Sequence, residues 1–327
     1  MNSTLMVSSL EAPRTRRHRT TGGLLLALVA LLMICAPLAI YPLFLIKILC
    51  FALFAAAFNL VLGYAGLLSF GHAAFFGGAA YITAHAAKVW QLPFELAVLA
   101  GTAFAALLGL AFGTLAIRRH GIYFAMITLA LAQMVYFMAV QMPFTGGEDG
   151  IQAVPRGYLL GLIDLRDITA MYYTVLGGTI LGLVIIWRTV NSPFGHILSA
   201  IRENETRVTS LGLKPERYKL IAFTLSAALS GFAGALKAIA FQLASLVDVT
   251  WHMSGEVILM TLLGGMGTLI GPIVGASIVV GLEHFLSTSG LPITFIIGLF
   301  FVVCVMMFRR GVFGELKALL ERSKTLA

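Results

Sequence analysis

Few residues of this 327-residue chain have side chains suited to chemistry, and their surroundings decide which chemistry that is. In "FNLVLGYAGLLSFGHAAFFGGAAY", residues 58–81, the polar residues Asn59, Ser69 and His72 stand among apolar neighbours. In "LLGGMGTLIGPIVGA", residues 262–276, an apolar run is broken by Gly264, Gly265, Gly267, Gly271 and Pro272. Polar groups within hydrocarbon are costly unless paired, and they often mark a route for substrate. Asn59, Ser69, His72, Gly264, Gly265 and Gly267 are therefore candidates for the lining or gate of a translocation pathway. The plainer alternative for each polar residue is a structural hydrogen bond that holds a broken helix. A third concentration, "GHILSAIRENETRVTSLGLKPERY" at 195–218, packs Arg202, Glu203, Glu205, Arg207, Lys214, Glu216 and Arg217 into a short space.

Bond-making chemistry finds no comparable support. There is no G-x-x-x-x-G-K-[ST] phosphate loop and no H-E-x-x-H pair. Gly265 and Gly267 follow no strand and lack a correctly placed third glycine, so they make no dinucleotide fingerprint. No Cys/His cluster and no nucleophile–base pair of recognisable spacing is present. No catalytic residue, metal ligand or bound cofactor is expected of this chain.

The elements that must position these residues are membrane helices. The chain is 59% hydrophobic and 11% charged, with a mean hydropathy of +0.96. Apolar runs of about 20 residues recur, the length needed to cross a hydrocarbon core of about 30 Å. Alternating segments of about 10 residues, as in a membrane β-barrel, do not. The expected fold is an all-α polytopic bundle, its 34 glycines serving close helix packing. The net charge of +8 reads as topology rather than nucleic-acid binding, because cytoplasmic loops concentrate Lys and Arg. Cys35, Cys50 and Cys304 lie in apolar runs and read as small packed hydrophobes.

Spans are expected near 23–41, 44–62, 67–87, 94–117, 122–142, 169–187, 219–241 and 291–308. The first is too long for a signal peptide's core, so it reads as a retained span behind a basic cytoplasmic tail at 1–22. The loop at 143–167 carries four acids and two bases and is expected outside. Residues 188–219 carry six bases and three acids and are expected inside, as is the basic tail at 311–327. With both ends inside, the Gly-broken stretch 255–286 either crosses twice or forms a re-entrant hairpin, giving eight to ten crossings within a membrane domain at 23–310. Asp248, His252 and Glu256 are placed near the outer mouth, where solvation is the plainer reading and contact with an extracytoplasmic partner the alternative.

The charged insert reads as one short amphipathic helix. Ser192 and Pro193 suit its N-cap and first turn, and Gly212 and Pro215 its end. Ile197, Ile201, Val208 and Leu211 form an apolar stripe, and charge of both signs covers the other faces. Mixed charge suits a protein groove better than anionic lipid. A solvated helix without a partner is the alternative.

Residues 192–236 resemble the cytoplasmic coupling segment of permease subunits in bacterial ABC importers, and look most like LivM-type permeases of branched-chain amino acid importers. The two Gly-rich stretches, "YFAMITLALAQM" (123–134) and "GGEDGI" (146–151) extend the resemblance over 45–310 in the family's order. It implies a coupling segment at 188–218 that docks on a cytoplasmic ATPase through Arg202, Glu203, Glu205, Arg207 and Gly212. It implies two ATP-binding subunits carrying ATP and Mg, a second LivH-like permease, a periplasmic substrate-binding protein and residence in the bacterial inner membrane. The substrate implied is Leu, Ile or Val; other amino acids, urea and short amides are alternatives, and an ion-coupled carrier is the rival mechanism. The chain departs from related segments at His196, Arg207 and Val208, where the docking surface is expected to suit its own ATPase.

Overall fold

The computed structural model describes residues 36–38, 40–287, 293–307, 311, 314 and 315. The chain divides into two units at Tyr41. Of the first, a 3-10 turn at Ala36–Leu38 is described, and the expected basic tail and most of the first span lie outside the described residues. Most of the 311–327 tail also lies outside them.

The second unit is a helical bundle. Its described helices are α1 (Pro42–Asn59), α2 (His72–Lys88), α3 (Phe94–Ala116), α4 (Ile122–Gln141), α5 (Ile168–Val190), α6 (Pro193–Glu203), α7 (Glu205–Ser210), α8 (Pro215–Ala240), α9 (Trp251–Gly264), α10 (Gly271–Ser287) and α11 (Ile293–Met307). Five are long and apolar enough to cross a membrane: α1 with its continuation to Tyr64, α3, α4, α5 and α8.

Helix α8 packs against α1, α2, α3 and α5. Small residues permit this. A Cβ on Gly231 would collide with Ala105, and one on Gly234 with the Phe76 carbonyl, so the backbones approach where lipid supplies no hydrophobic drive. Phe54, Phe58, Phe75, Phe76 and Phe223 fill the space between, all fully buried.

The bundle has two distinct ends. At one, the loop after α4 folds into short turns and strands. Strand β1 (Ile151–Gln152) pairs antiparallel with β4 (Leu243–Ala244) just past α8, and β2 (Tyr158–Leu159) pairs with β3 (Ile163–Asp164). Arg156 donates to the Ala240 carbonyl at 2.8 Å, fastening the loop to the end of α8. At this same end Lys237 pairs with Asp248, which is buried rather than solvated as its sequence context suggested. The aromatic faces of Phe51 and Phe76 flank Lys237 at 5.8 and 5.6 Å, which makes burying this charge tolerable.

At the other end lie α6 and α7. The sequence predicts one helix here, and the structure has two. Asn204 adopts extended backbone at φ −157°, and its side chain accepts from the Arg207 N–H at 3.0 Å. Asn204 is thus an internal N-cap that stops α6 and starts α7. Ser192 precedes Pro193 as expected, but its hydroxyl donates to the Thr189 carbonyl, closing α5 instead of capping α6. Ile201 and Val208 of the stripe are buried, whereas Leu211 is 75% exposed. Gly212, at φ +83°, ends α7 in the left-handed conformation that glycine adopts without penalty.

Candidate functional site

Both Gly-rich stretches break their helices, and the two breaks meet. After Asn59, α1 widens into a π-turn over Leu60–Tyr64. The backbone is then irregular to Gly71, so α2 begins at His72, five residues later than hydropathy alone predicts. In the second break α9 stops at Gly264, Gly265 and Gly267 take positive φ of 112° and 78°, and α10 starts at Gly271. Thr268 stitches this turn: its hydroxyl donates to the Gly265 carbonyl at 2.8 Å and accepts from the Gly271 N–H at 3.1 Å.

Asn59 holds the breaks together. Its amide nitrogen donates to the Thr268 carbonyl at 2.8 Å, and its amide oxygen accepts from the Gly267 N–H at 2.9 Å. Reversing the amide would set donor against donor and acceptor against acceptor, so the orientation is fixed. The pair needs Gly63. A Cβ there would lie 2.6 Å from the Gly267 nitrogen and would strike the Asn59 amide oxygen.

Arg202 enters the same junction from α6. Its guanidinium donates to the Gly63 carbonyl. A Cβ on Gly66 would fall 2.9 Å from the Arg202 Cγ, and one on Gly267 would fall 3.4 Å from its Nη1. Glycines from both breaks therefore form the niche that admits the arginine. The rest of Arg202 remains exposed.

The other charges of the insert divide in two. Glu205 receives Lys219 on both carboxylate oxygens at 2.7 Å and lies 3.4 Å from His120 Nδ1. Lys219 is only 3% exposed, so this pair fastens α7 to the start of α8. Glu203 and Arg207 are exposed, and their side chains have no partner among the described residues.

Ser69 and His72 belong to a separate buried network. The Ser226 hydroxyl donates to the Ala57 carbonyl at 2.6 Å, so its single proton is used. His72 Nε2, 3.0 Å from that hydroxyl oxygen, must carry the proton and donate to it. Phe58, Phe75 and Phe223 surround the imidazole edge-on at 4.8, 5.4 and 5.5 Å. The Ser69 hydroxyl accepts from the Gly71 N–H at 3.1 Å, Thr128 accepts from the Phe70 N–H, and Ser254 accepts from the Ala73 N–H. These bonds use N–H groups that the opening of α2 leaves without helical partners. Gly264 packs on the backbone of Gly271.

Of the six expected pathway residues, Asn59 and Gly267 thus meet at the junction, with Gly264 and Gly265 in the second break, and Ser69 and His72 lie apart. Sequence reasoning missed Thr268, Lys219, Ser226 and Ser254. Lys219 carried a usable signal, a lysine at the edge of an apolar run 14 residues after Glu205.

Several transport permeases resemble this chain. The high-affinity branched-chain amino acid transport system permease protein LivM of Escherichia coli K12 is 32% identical over 68% of this chain and 58% of its own length. Its namesake in Salmonella typhimurium is 33% identical over 68% of this chain and 58% of its own length. The ribose import permease protein RbsC of Bacillus subtilis is 29% identical over 49% of this chain and 51% of its own length. The match thus spans less than two thirds of each relative. No solved structure matches the chain. Residues 41–309, which hold both helix breaks, the Asn59 clamp and the Arg202 niche, match the family described as the permease component of the branched-chain amino acid transport system, and to that family the chain belongs.

Proposed function

We propose that this chain is the membrane-spanning permease subunit of an ABC importer that carries branched-chain amino acids inward, powered by ATP and Mg in two separate cytoplasmic subunits. A second, LivH-like permease completes the translocation unit, and a periplasmic binding protein delivers the substrate. Membership of the permease family and the names of the two LivM relatives support the substrate class. In this reading the end bearing α6 and α7 faces the cytoplasm, as do both termini, and the loop at 143–168 faces the periplasm.

The observation that carries the docking role is the unpaired charge on α6 and α7. Glu203 and Arg207 stand exposed while their neighbours Arg202 and Glu205 are tied to the bundle. An exposed pair of opposite charges on a fixed platform suits a partner groove with a complementary rim. We assign first contact with the ATPase to Glu203 and Arg207, the sharp exit to Gly212, and the placement of that surface to Glu205, which Lys219 holds on α8.

The test is purification from native membranes through a tag on this chain, beside a Glu203→Arg, Arg207→Glu form. Two ATPase subunits and a second permease should accompany the wild type, and the reversed form should keep the permease and lose the ATPases. Vesicles holding the wild-type assembly should take up leucine only with ATP and the binding protein. Uptake that follows an ion gradient without ATP would sink the reading in favour of an ion-coupled carrier.

A further inference from the structure

We infer that Arg202 is the positioning residue through which movement of α6 reaches the two helix breaks, so that it governs how much substrate moves per ATP rather than whether the ATPase docks. The inference rests on the importer reading and adds a role for one side chain within it.

A continuous set of contacts carries the argument. Arg202 is the penultimate residue of α6, two positions before the interruption at Asn204. Its guanidinium donates to the Gly63 carbonyl within the π-turn that ends α1. Four residues before Gly63, Asn59 holds Gly267 and Thr268 at 2.9 and 2.8 Å, between α9 and α10. A displacement of α6 therefore acts first on the π-turn and through Asn59 on the α9–α10 turn. Each of the other charged residues expected to dock lacks such a connection: Glu205 is bonded to Lys219, and Glu203 and Arg207 have no partner among the described residues.

The receiving elements suit the task. A π-turn and a glycine turn with positive φ are low-cost places for backbone to rearrange, and both sit where α1, α9 and α10 meet. The arginine suits it too. One of its five N–H donors meets the Gly63 carbonyl while much of the residue stays exposed, so the same planar group has donors left for the cytoplasmic side. Simple filling of space does not account for the niche. Gly66 leaves out the Cβ that would crowd the arginine, and Gly267, from the opposite break, lines the niche at contact distance.

The experiment uses the complete importer in vesicles, with ATP hydrolysis and leucine uptake measured on the same sample for wild type, Arg202→Gln and Arg202→Lys. Both variants should retain the ATPase subunits and hydrolyse ATP within about twofold of wild type. Leucine moved per ATP should fall roughly tenfold or more in Arg202→Gln, within the 5–150-fold range of ordinary coupling between sites. Arg202→Lys, which can still offer one charged donor to the Gly63 carbonyl, should recover part of that loss. If Arg202→Gln loses the ATPases, Arg202 is a docking contact and the inference is overturned. Unchanged leucine per ATP in both variants also overturns it. Should Arg202→Gln fail to assemble, the ratio for Arg202→Lys decides alone: severalfold below wild type supports the inference, and equality overturns it. A wild-type assembly that shows no ATP-driven uptake at all refutes the importer reading instead.

Discussion

At the scale of single residues, a polar group in this bundle most often serves the backbone. Asn59 spends its amide on Gly267 and Thr268, and His72 donates to a serine whose own proton goes to Ala57. Asn59→Ala would leave a part-buried N–H and C=O without partners, at less than the about 1–3 kcal/mol that each costs when fully buried. The variant should unfold in detergent at distinctly lower denaturant than wild type. Unchanged stability with abolished uptake would return Asn59 to the pathway. Gly63→Ala should injure the same clamp, because its Cβ occupies the position of the Asn59 amide oxygen. The two changes share one mechanism, so the double variant should lose clearly less than the sum of the singles in a double-mutant cycle. An additive result would mean that Gly63 acts elsewhere.

At the scale of elements, the sequence predicted most spans to within a few residues, because length and hydropathy alone define them. The span expected at 94–117 is observed at Phe94–Ala116, and that at 122–142 at Ile122–Gln141. What hydropathy does not encode is local hydrogen bonding. Asn204 reads as one polar residue inside an amphipathic pattern, yet its side chain caps a new helix and divides the insert. The outward and inward roles of the charges were equally hidden, since Arg202 and Glu203 are neighbours in sequence and diverge in space. Lys219 supplies the prediction for this scale. Glu205→Gln would leave a buried lysine without its carboxylate, a change that costs about 3–5 kcal/mol in fully buried pairs and less here, with Glu205 33% exposed. Helix α7 should loosen first, and trypsin should cut after Arg207 faster than in wild type. A second change, Lys219→Met, should restore much of the resistance. Equal digestion of Glu205→Gln and wild type would show that α7 is held by Val208 and its apolar neighbours alone.

At the scale of the whole molecule, the sequence left open whether 255–286 crosses the membrane twice or turns back within it. Contacts at its two ends bear on the choice. Helix α9 begins just after Asp248, which pairs with Lys237 near the end of α8, and it finishes at Gly264, beside the turn that meets the Arg202 niche. Helix α10 returns so that Glu283 pairs with Lys47 at 2.9 Å, while the α9–α10 turn lies against Asn59 at the far end of α1. Lys47 and Asn59 are twelve residues apart, as are Gly271 and Glu283, about 18 Å of rise in each helix. Helix α10 therefore runs antiparallel to α1, and the hairpin turn lies at the α6 end of the bundle, an arrangement that predicts two crossings rather than a turn at mid-depth. The consequence is testable in sealed vesicles of known orientation with a thiol reagent that cannot cross lipid, in a background without the native cysteines. Met266, 48% exposed in the α9–α10 turn, and Arg207 in α7 should react as cysteines from one face only, and from the same face. Leu162, 85% exposed beyond β2, and Val247, 63% exposed before α9, should react from the opposite face. Labelling of Met266→Cys from the face that exposes Leu162→Cys would make 255–286 a re-entrant hairpin. It would also separate the Asn59 clamp from the α6 side of the membrane, and with it the physical link from Arg202 to the second break.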